Sequence, residues 1–455
     1  MDERAIQLGE RKISQLLWQF SLPAIIGMLA NSSYMIINRL FIGNVVGADA
    51  ISGLSVTMPI SLIMTAFGML IGIGAGAMIS IRLGQNRAKE AEHILGNALS
   101  LLLIISVLVS GTLLLWLDEL LIAFGASPNT LPYGRQFISI ILFGSLFQYV
   151  SFGLVAIIRS EGNPRISMNI MLLNAGLNVV LDFVFVYLLH WGMPGTAVAT
   201  VISQAVAATL AIRHFIGSSS VIKLHWKFIP PSRPIIQAIL SIGMAPFAMQ
   251  LVSSLIVILY NQGLAQYGGD SAIGAFGIIY TITMFTLMPV VGISQGLQPI
   301  AGFNFGARKY VRVKQSLKLA ILFASFIVSL LFILIQLGAG PIMRSFSSEQ
   351  ELLNLGIHGL RVFLLCLPII GFQIISANFF QAIGKGFTSM FLNLLRQVIF
   401  LIPMLLIFPH FFQLNGIWLS SPVSDLAASS VTALVLLRHL RKLDINRDQL
   451  NPQAY

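Results

Sequence analysis

Asn174, Asn178 and Asp182 recur at i, i+4 and i+8 within the apolar run 166–189. In a helix that spacing stacks the three side chains on one face. Two amides and a carboxylate on one face offer oxygens to a cation and a resting place for a proton. Isolated asparagines in such a run serve equally well as hydrogen-bonding glue between helices. The carboxylate at the end of the stripe tips Asp182 and Asn178 towards ion binding. Asp425, with Ser421, Pro422 and Ser424 beside it, is the second acid inside an apolar run, and the other fourteen of the 16 Asp and Glu fall in loops, termini or run ends. A carboxylate in hydrocarbon is costly unless it faces a cavity or a partner, so both acids read as functional. Two arginines share this setting. Arg39, next to Asn38 near the end of run 16–42, either snorkels to the interface or pairs with Asp182. Arg396 either snorkels or pairs with a carboxylate such as Asp425. Pro23 removes a backbone hydrogen bond and predicts a bend, as a moving part or as fixed shape.

Enzyme chemistry has no foothold. There is no phosphate-binding loop, no metal-spaced cluster of His, Cys and acids, and no nucleophile elbow. His93, His190, His214, His225, His358, His410 and His439 scatter near loops and run ends as structural or interfacial residues. The sole cysteine, Cys366, sits in an apolar run as a small core residue. The expectation is therefore a protein with no enzymatic activity, no cofactor and no resident metal.

The elements that must position these residues follow from composition. Hydrophobic residues make up 56% of the 455 and charged residues 9%, with mean hydropathy +0.87. A soluble domain carries roughly 25% charged residues, so lipid must be the solvent here. Long apolar runs without alternation then predict helices, which satisfy their own backbone. Twelve are expected, at 16–42, 50–80, 93–117, 133–157, 166–189, 195–216, 235–262, 273–303, 315–337, 358–383, 389–412 and 416–440. The charged opening MDERAIQLGERK leads into the first of them and reads as an uncleaved start. With the N-terminus in the cytoplasm, 22 of the 27 Lys and Arg fall in inward-facing segments, which predicts cytoplasmic termini. That placement explains the +11 net charge without a nucleic-acid partner.

The chain also repeats itself at an offset of about 222 residues. Gly72-Ile73 meets Gly292-Ile293, Gly84 meets Gly306, Gly162 meets Gly384, and Ser167-Met168 meets Ser389-Met390. Six spans per repeat is even, so the fold expected is an all-α integral membrane protein of two six-helix lobes in parallel 6+6 arrangement. A pseudo-two-fold axis would lie along the membrane normal. The lobes are placed at 1–216 and 235–440, joined by a Pro-rich cytoplasmic linker, 217–234, with a tail at 441–455. The offset sets Arg396, Phe400 and Met404 opposite the polar stripe, so the stripe belongs to the first lobe alone. The glycines of GIGAGAM read as close helix packing.

The stretches FSLPAIIGMLANSSYMIINRLFIGNVVGADAISGLSV (20–56), GIGAGAMISIRLGQNRAKEAE (72–92), GISQGLQPIAGFNFGARKYVRVKQ (292–315) and RSEGNPRISMNIMLLNAGLNVVLDFVFVY (159–187) resemble multidrug and toxic-compound extrusion (MATE) transporters. GTAVATVIS (195–203) extends the likeness, which covers about 16–440 and is nearest the bacterial branch of small drug pumps. The resemblance implies two lobes around a cavity, and export of organic cations in exchange for protons or sodium ions. It places Asp182 and Asn178 in the coupling-ion site, with Thr200 as a sixth-helix hydroxyl of the same network. Many members carry an Asp where this chain has Asn38, and another branch carries a seventh-helix Glu near Ser254, which leaves one strong carboxylate in the first lobe.

The expected activity is secondary multidrug efflux by alternating access from a bacterial plasma membrane, by a monomer, with cationic or amphipathic drugs as the partners besides the bilayer. Protons are favoured over sodium because Asp182 is the one certain carboxylate, although Asp182, Asn178, Asn38 and Thr200 all present oxygen to Na+. The 17 Met and 31 Phe could line an adaptable cavity, though most serve packing or lipid contact. Asn174, Arg39, Asp425, Arg396 and Pro23 are the further candidates for transport residues. The competing function is a flippase for lipid-linked saccharides, which would use a cationic cavity that only Arg39 and Arg396 could supply.

Overall fold

The computed structural model describes residues 3–46, 48–218, 220–346 and 350–450, and the side chains of 3–6, 35, 39, 40, 43, 44, 48, 49, 51, 270 and 442–450 are outside that description. Among the described residues there is no strand, and apolar helices carry the whole chain. The first half contributes α1 (Ile13–Val45), α2 (Met58–Gly84), α3 (Ala88–Leu115), α4 (Leu131–Phe143 and Ser145–Ser160, bent by 59°), α5 (Pro164–Leu188) and α6 (Gly192–Ile216). The second contributes α7 (Arg233–Gly269), α8 (Ser271–Gly306), α9 (Tyr310–Arg344) and α10 (Gln350–Phe363 and Leu367–Ala382, bent by 50°). The remaining helical stretch, Gly386–Arg441, has 56 residues. At 1.5 Å per residue it would be far longer than a bilayer is thick. The left-handed Gln413 (φ 51°) breaks it into α11 (386–412) and α12 (414–441). The described helices thus make twelve crossings, as the apolar runs predict. α1 continues through Pro23 as one helix.

The repeat is written into the backbone as well as the letters. Left-handed residues close α2 and α8 at Asn86 and Arg308, and α4 and α10 at Gly162 and Gly384. Each closes its helix with the same pair of hydrogen bonds. Asn163 N–H donates to Ile158 O and Gly162 N–H to Arg159 O; Lys385 N–H donates to Phe380 O and Gly384 N–H to Gln381 O. This is the Schellman ending, in which a residue at positive φ returns the chain to the last turn. Gly162 (φ 113°) holds a conformation that a side chain would strain.

The halves meet through the same pseudo-symmetry. A Cβ on Gly84 would lie 2.0 Å from the Phe303 carbonyl oxygen, and one on Gly306 would lie 2.1 Å from that of Ile81. Ile81 and Phe303 are themselves repeat mates, so one contact is made twice. Gly74 against Gly243 and Gly296 against Ser21 form a second such pair. The glycines of GIGAGAM and its counterpart therefore let α2, α7, α8 and α1 approach backbone to backbone, as close packing requires. Around them, Gln298 Nε2 donates to Ile73 O (3.1 Å). Asn304 Nδ2 donates to Leu8 O (3.0 Å), Lys309 Nζ to Gly9 O (3.1 Å), and Arg312 to the carbonyls of Leu8 and Arg11. On the opposite face, Gly53 packs on Tyr133, Gly268 on Leu414 and Gly274 on Leu352, each within its own half. The halves are thus clamped at the face carrying the N-terminal segment.

Gly84→Leu should wedge that clamp open, because the obstructing atom is a helix carbonyl rather than a flexible side chain. Spin labels at positions 89 and 314, on a background with Cys366→Ser, should report a longer and broader distance distribution in Gly84→Leu. An unchanged distribution would mean that the crossing tolerates a side chain.

Candidate functional site

Asp182 closes the α-helical part of α5, and the next six residues, Phe183–Leu188, form a π-helical turn. A π-turn inserts one residue and re-aims the side chains beside it, which is why such turns gather at functional sites. The carboxylate is completely buried, and neither oxygen has a hydrogen-bond partner among the described residues. Thr196 on α6 stands beside it, and its hydroxyl also makes no hydrogen bond of normal geometry. One turn earlier on α5, Asn178 Nδ2 donates to Thr200 Oγ1 (3.1 Å), which itself donates to Thr196 O (2.9 Å). The Asn178 Oδ1 is left unpartnered, as is the Oδ1 of Asn174 one turn further back.

Helix α1 supplies the facing wall. Gly27 packs on Met171 and Phe41 on Phe183 (6.4 Å between rings), so α1 and α5 run side by side and Asn38 falls at the level of the Asp182 turn. Asn38 is buried with its Oδ1 unpartnered, and half-buried Tyr34 lies within electrostatic reach of Asp182. Arg39 is on the same helix, with its side chain outside the described residues. The stripe, Thr200 and Asn38 are thereby gathered in one region. Tyr34 and Thr196 were not foreseen, although each stands one helical turn before a foreseen residue, Asn38 and Thr200.

Buried carboxylate and amide oxygens without donors are expensive in a dry interior. A proton on Asp182, or a small hard cation shared by Asp182, Asn178 and Asn38, would satisfy several at once. No cluster of three or more His, Cys, Asp or Glu able to hold a metal occurs among the described residues.

The second half is built differently at the corresponding place. Arg396 and Gln397 lie on another π-turn, Leu395–Leu401, and the Arg396 Nε donates to Asp425 Oδ1 at 2.5 Å. The pair is well enclosed, with side-chain exposures of 19% and 1%. Of the two possibilities for Arg396, pairing is the one observed. Arg396 borders a cavity of about 100 Å³ whose wall also includes Tyr260, Thr283, Gln397 and Ser421. At this place one half therefore holds an acid with no hydrogen-bond partner among the described residues, whereas the other holds an acid paired with an arginine.

Glu161 was read with the loop and run-end acids. It is fully buried at the end of α4, where it accepts from Asn163 Nδ2 (2.7 Å) and Ser220 Oγ (2.6 Å) and pairs with His214 Nε2. His214 is thus a structural histidine that ties α6 to the end of α4.

Twelve apolar crossings in two matched halves, with an unpartnered acid buried in one of them, define a polytopic membrane carrier. The MatE family model matches residues 23–184 and again 244–407, one stretch in each half, and the chain belongs to that family. It is similar over 449 residues to "Multidrug export protein MepA" of Staphylococcus haemolyticus (strain JCSC1435), at 27% identity covering 99% of each chain. The protein of the same name from Staphylococcus aureus (strain MSSA476) is 26% identical over the same length and coverage. A solved structure described as the outward-facing conformation of a multidrug resistance MATE family transporter of the MOP superfamily matches with TM-score 0.92 and 25% identity, covering 96% of this chain and 98% of that one. Family members are transporters rather than enzymes, and so is this chain.

Proposed function

We propose that this chain is a secondary active antiporter of a bacterial plasma membrane, exporting cationic or amphipathic drugs in exchange for protons or sodium ions, with Asp182 as the coupling-ion site. The observation that carries the proposal is the fully buried Asp182 carboxylate, which among the described residues has only the Thr196 hydroxyl beside it and no hydrogen bond of normal geometry, in company with Asn178, Asn38 and Thr200. The names of the full-length relatives, multidrug export proteins, agree with it. Ionised Asp182 attracts a cationic drug, and a proton or Na+ arriving from outside cancels that attraction and releases the drug there. Exclusive occupancy by ion or drug, together with lobes that rock between two states, yields exchange. The lobes are residues 1–216 and 235–440, linked by 217–234, in a protein that works as a monomer with both termini in the cytoplasm. On that orientation the clamped face is cytoplasmic. A flippase with a cationic cavity loses one of the two arginines that could supply it, because Arg396 is paired with Asp425.

Purified protein in liposomes tests the proposal. A cationic dye should move against its gradient when an inward-directed proton or sodium gradient is imposed, and should stop when that gradient is collapsed. Dye movement indifferent to both gradients would overturn the antiport reading.

A further inference from the structure

Beside the start of α1, on the clamped face, lies a cavity of about 890 Å³ that the transport reading does not use. That volume is within the range of small-molecule sites. One wall is a single face of α1 and the residues leading into it, Arg11, Gln15, Trp18, Gln19 and Leu22; the other is the segment Gly162–Ile166 that opens α5. Arg11, Gln15 and Arg165 are exposed, and Trp18 is 60% exposed. Trp18 stands five residues into the Ile13–Asn38 span, about 8 Å from its start, the depth at which tryptophan marks a membrane interface.

The lining is of one sign. It holds two arginines, three glutamines and an asparagine, with no carboxylate among the described residues. Arg11 Nη1 donates to Gln19 Oε1 (3.3 Å), so the Gln19 amide presents its N–H groups. Two carboxylates adjoin the lining in sequence: Glu161 is turned away and fully buried with both oxygens engaged, and the exposed Glu10 lines a separate cavity with Lys12 and Arg312. Pro164 opens α5, and the first-turn residues Arg165 and Ile166 line the cavity, at a helix start that favours an anion. A basic cavity between membrane helices, at interfacial depth and rimmed by tryptophan, matches the headgroup of an anionic phospholipid.

We propose that this cavity binds the phosphate-bearing headgroup of an anionic phospholipid from the leaflet on the N-terminal side, with Arg11 and Arg165 on the phosphate and Trp18 against the glycerol and upper chains. A lipid seated there bridges the N-terminal segment, which is latched to α8 and α9 through Asn304, Lys309 and Arg312, to the start of α5, which carries the Asp182 stripe. The site does not depend on transport being ion-coupled, and binding is measured without any gradient.

The test uses full-length protein in neutral detergent, titrated with brominated phosphatidylglycerol while tryptophan quenching is followed. Saturable quenching is expected. The half-saturating concentration should rise about fivefold in Arg11→Gln and in Arg165→Gln, and about 25-fold in the double variant, at the usual strength of a basic residue near an anionic lipid. Lys89→Gln, which removes an equal charge from an exposed site outside the cavity, should leave it unchanged. Equal quenching by brominated phosphatidylcholine would show a merely apolar groove and overturn the proposal. Displacement of the lipid by millimolar sodium phosphate would identify a free-anion site and overturn the lipid assignment. Wild-type affinity in the double variant would also overturn it.

Discussion

Asp182→Asn is expected to reduce gradient-driven dye efflux to the level of empty liposomes while leaving the protein folded. Asparagine is nearly isosteric with the acid, so the packing of α1, α5 and α6 around it is undisturbed. It removes a buried, unpaired charge, and the variant should melt at or above the temperature of the parent. What it cannot do is alternate between a charged and a neutral form. Dye binding should weaken as well, because the attraction for a cation is gone. Asp182→Glu, which keeps the charge but lengthens the reach, should retain weak coupling. Full efflux by Asp182→Asn in a monodisperse preparation would show that coupling lies elsewhere. Asn178→Ala is the graded companion, because it removes the Nδ2 donor to Thr200 but leaves the carboxylate in place. It should impair efflux without abolishing it.

The architecture could be read from letters alone because lipid leaves the backbone few choices. Twelve apolar runs had to be helices, and the repeated glycines had to stand where helices cross. Those glycines now prove to be paired across the halves, as Gly84 with Phe303 and Gly306 with Ile81. Asp182 was legible for the same reason, since an acid in an apolar run has few innocent explanations. Less legible was anything set by non-helical backbone. The π-turns after Asp182 and around Arg396 leave no mark in hydrophobic periodicity, yet they decide where those side chains point. Tyr34 and Thr196 were hidden because a lone hydroxyl on an apolar helix is usually bonded to its own backbone, as Thr200 is. By sequence Glu161 is only a run-end acid, because His214 and Ser220, which hold it, come from 53 and 59 residues away. Sequence spacing carries no trace of such a pairing.

The two halves differ at the matched places of Asp182 and the Arg396–Asp425 pair, and that difference makes the second large prediction. Removing one member of the Arg396–Asp425 pair should be far more damaging than removing both. Arg396→Met strands a 1%-exposed carboxylate without its cation, and breaking a buried pair in this way costs about 3–5 kcal/mol. Arg396→Met combined with Asp425→Leu replaces the pair by apolar groups of similar volume, a change that is often neutral or stabilising by about 1–4 kcal/mol. The thermal midpoint should therefore fall sharply in the single variant and recover in the double. Coupled efflux distinguishes the roles. If ion coupling belongs to the half that carries Asp182, the double variant should transport dye with the ion dependence of the parent, because only a static pair beside a cavity has been replaced. A double variant that is as stable as the parent yet inactive would instead make the arginine–aspartate pair part of the transport cycle. The contrast follows from the electrostatics of each half. A carboxylate with one oxygen held by a guanidinium at 2.5 Å has less to offer a proton or cation than Asp182, whose two oxygens both lack a hydrogen-bond partner among the described residues.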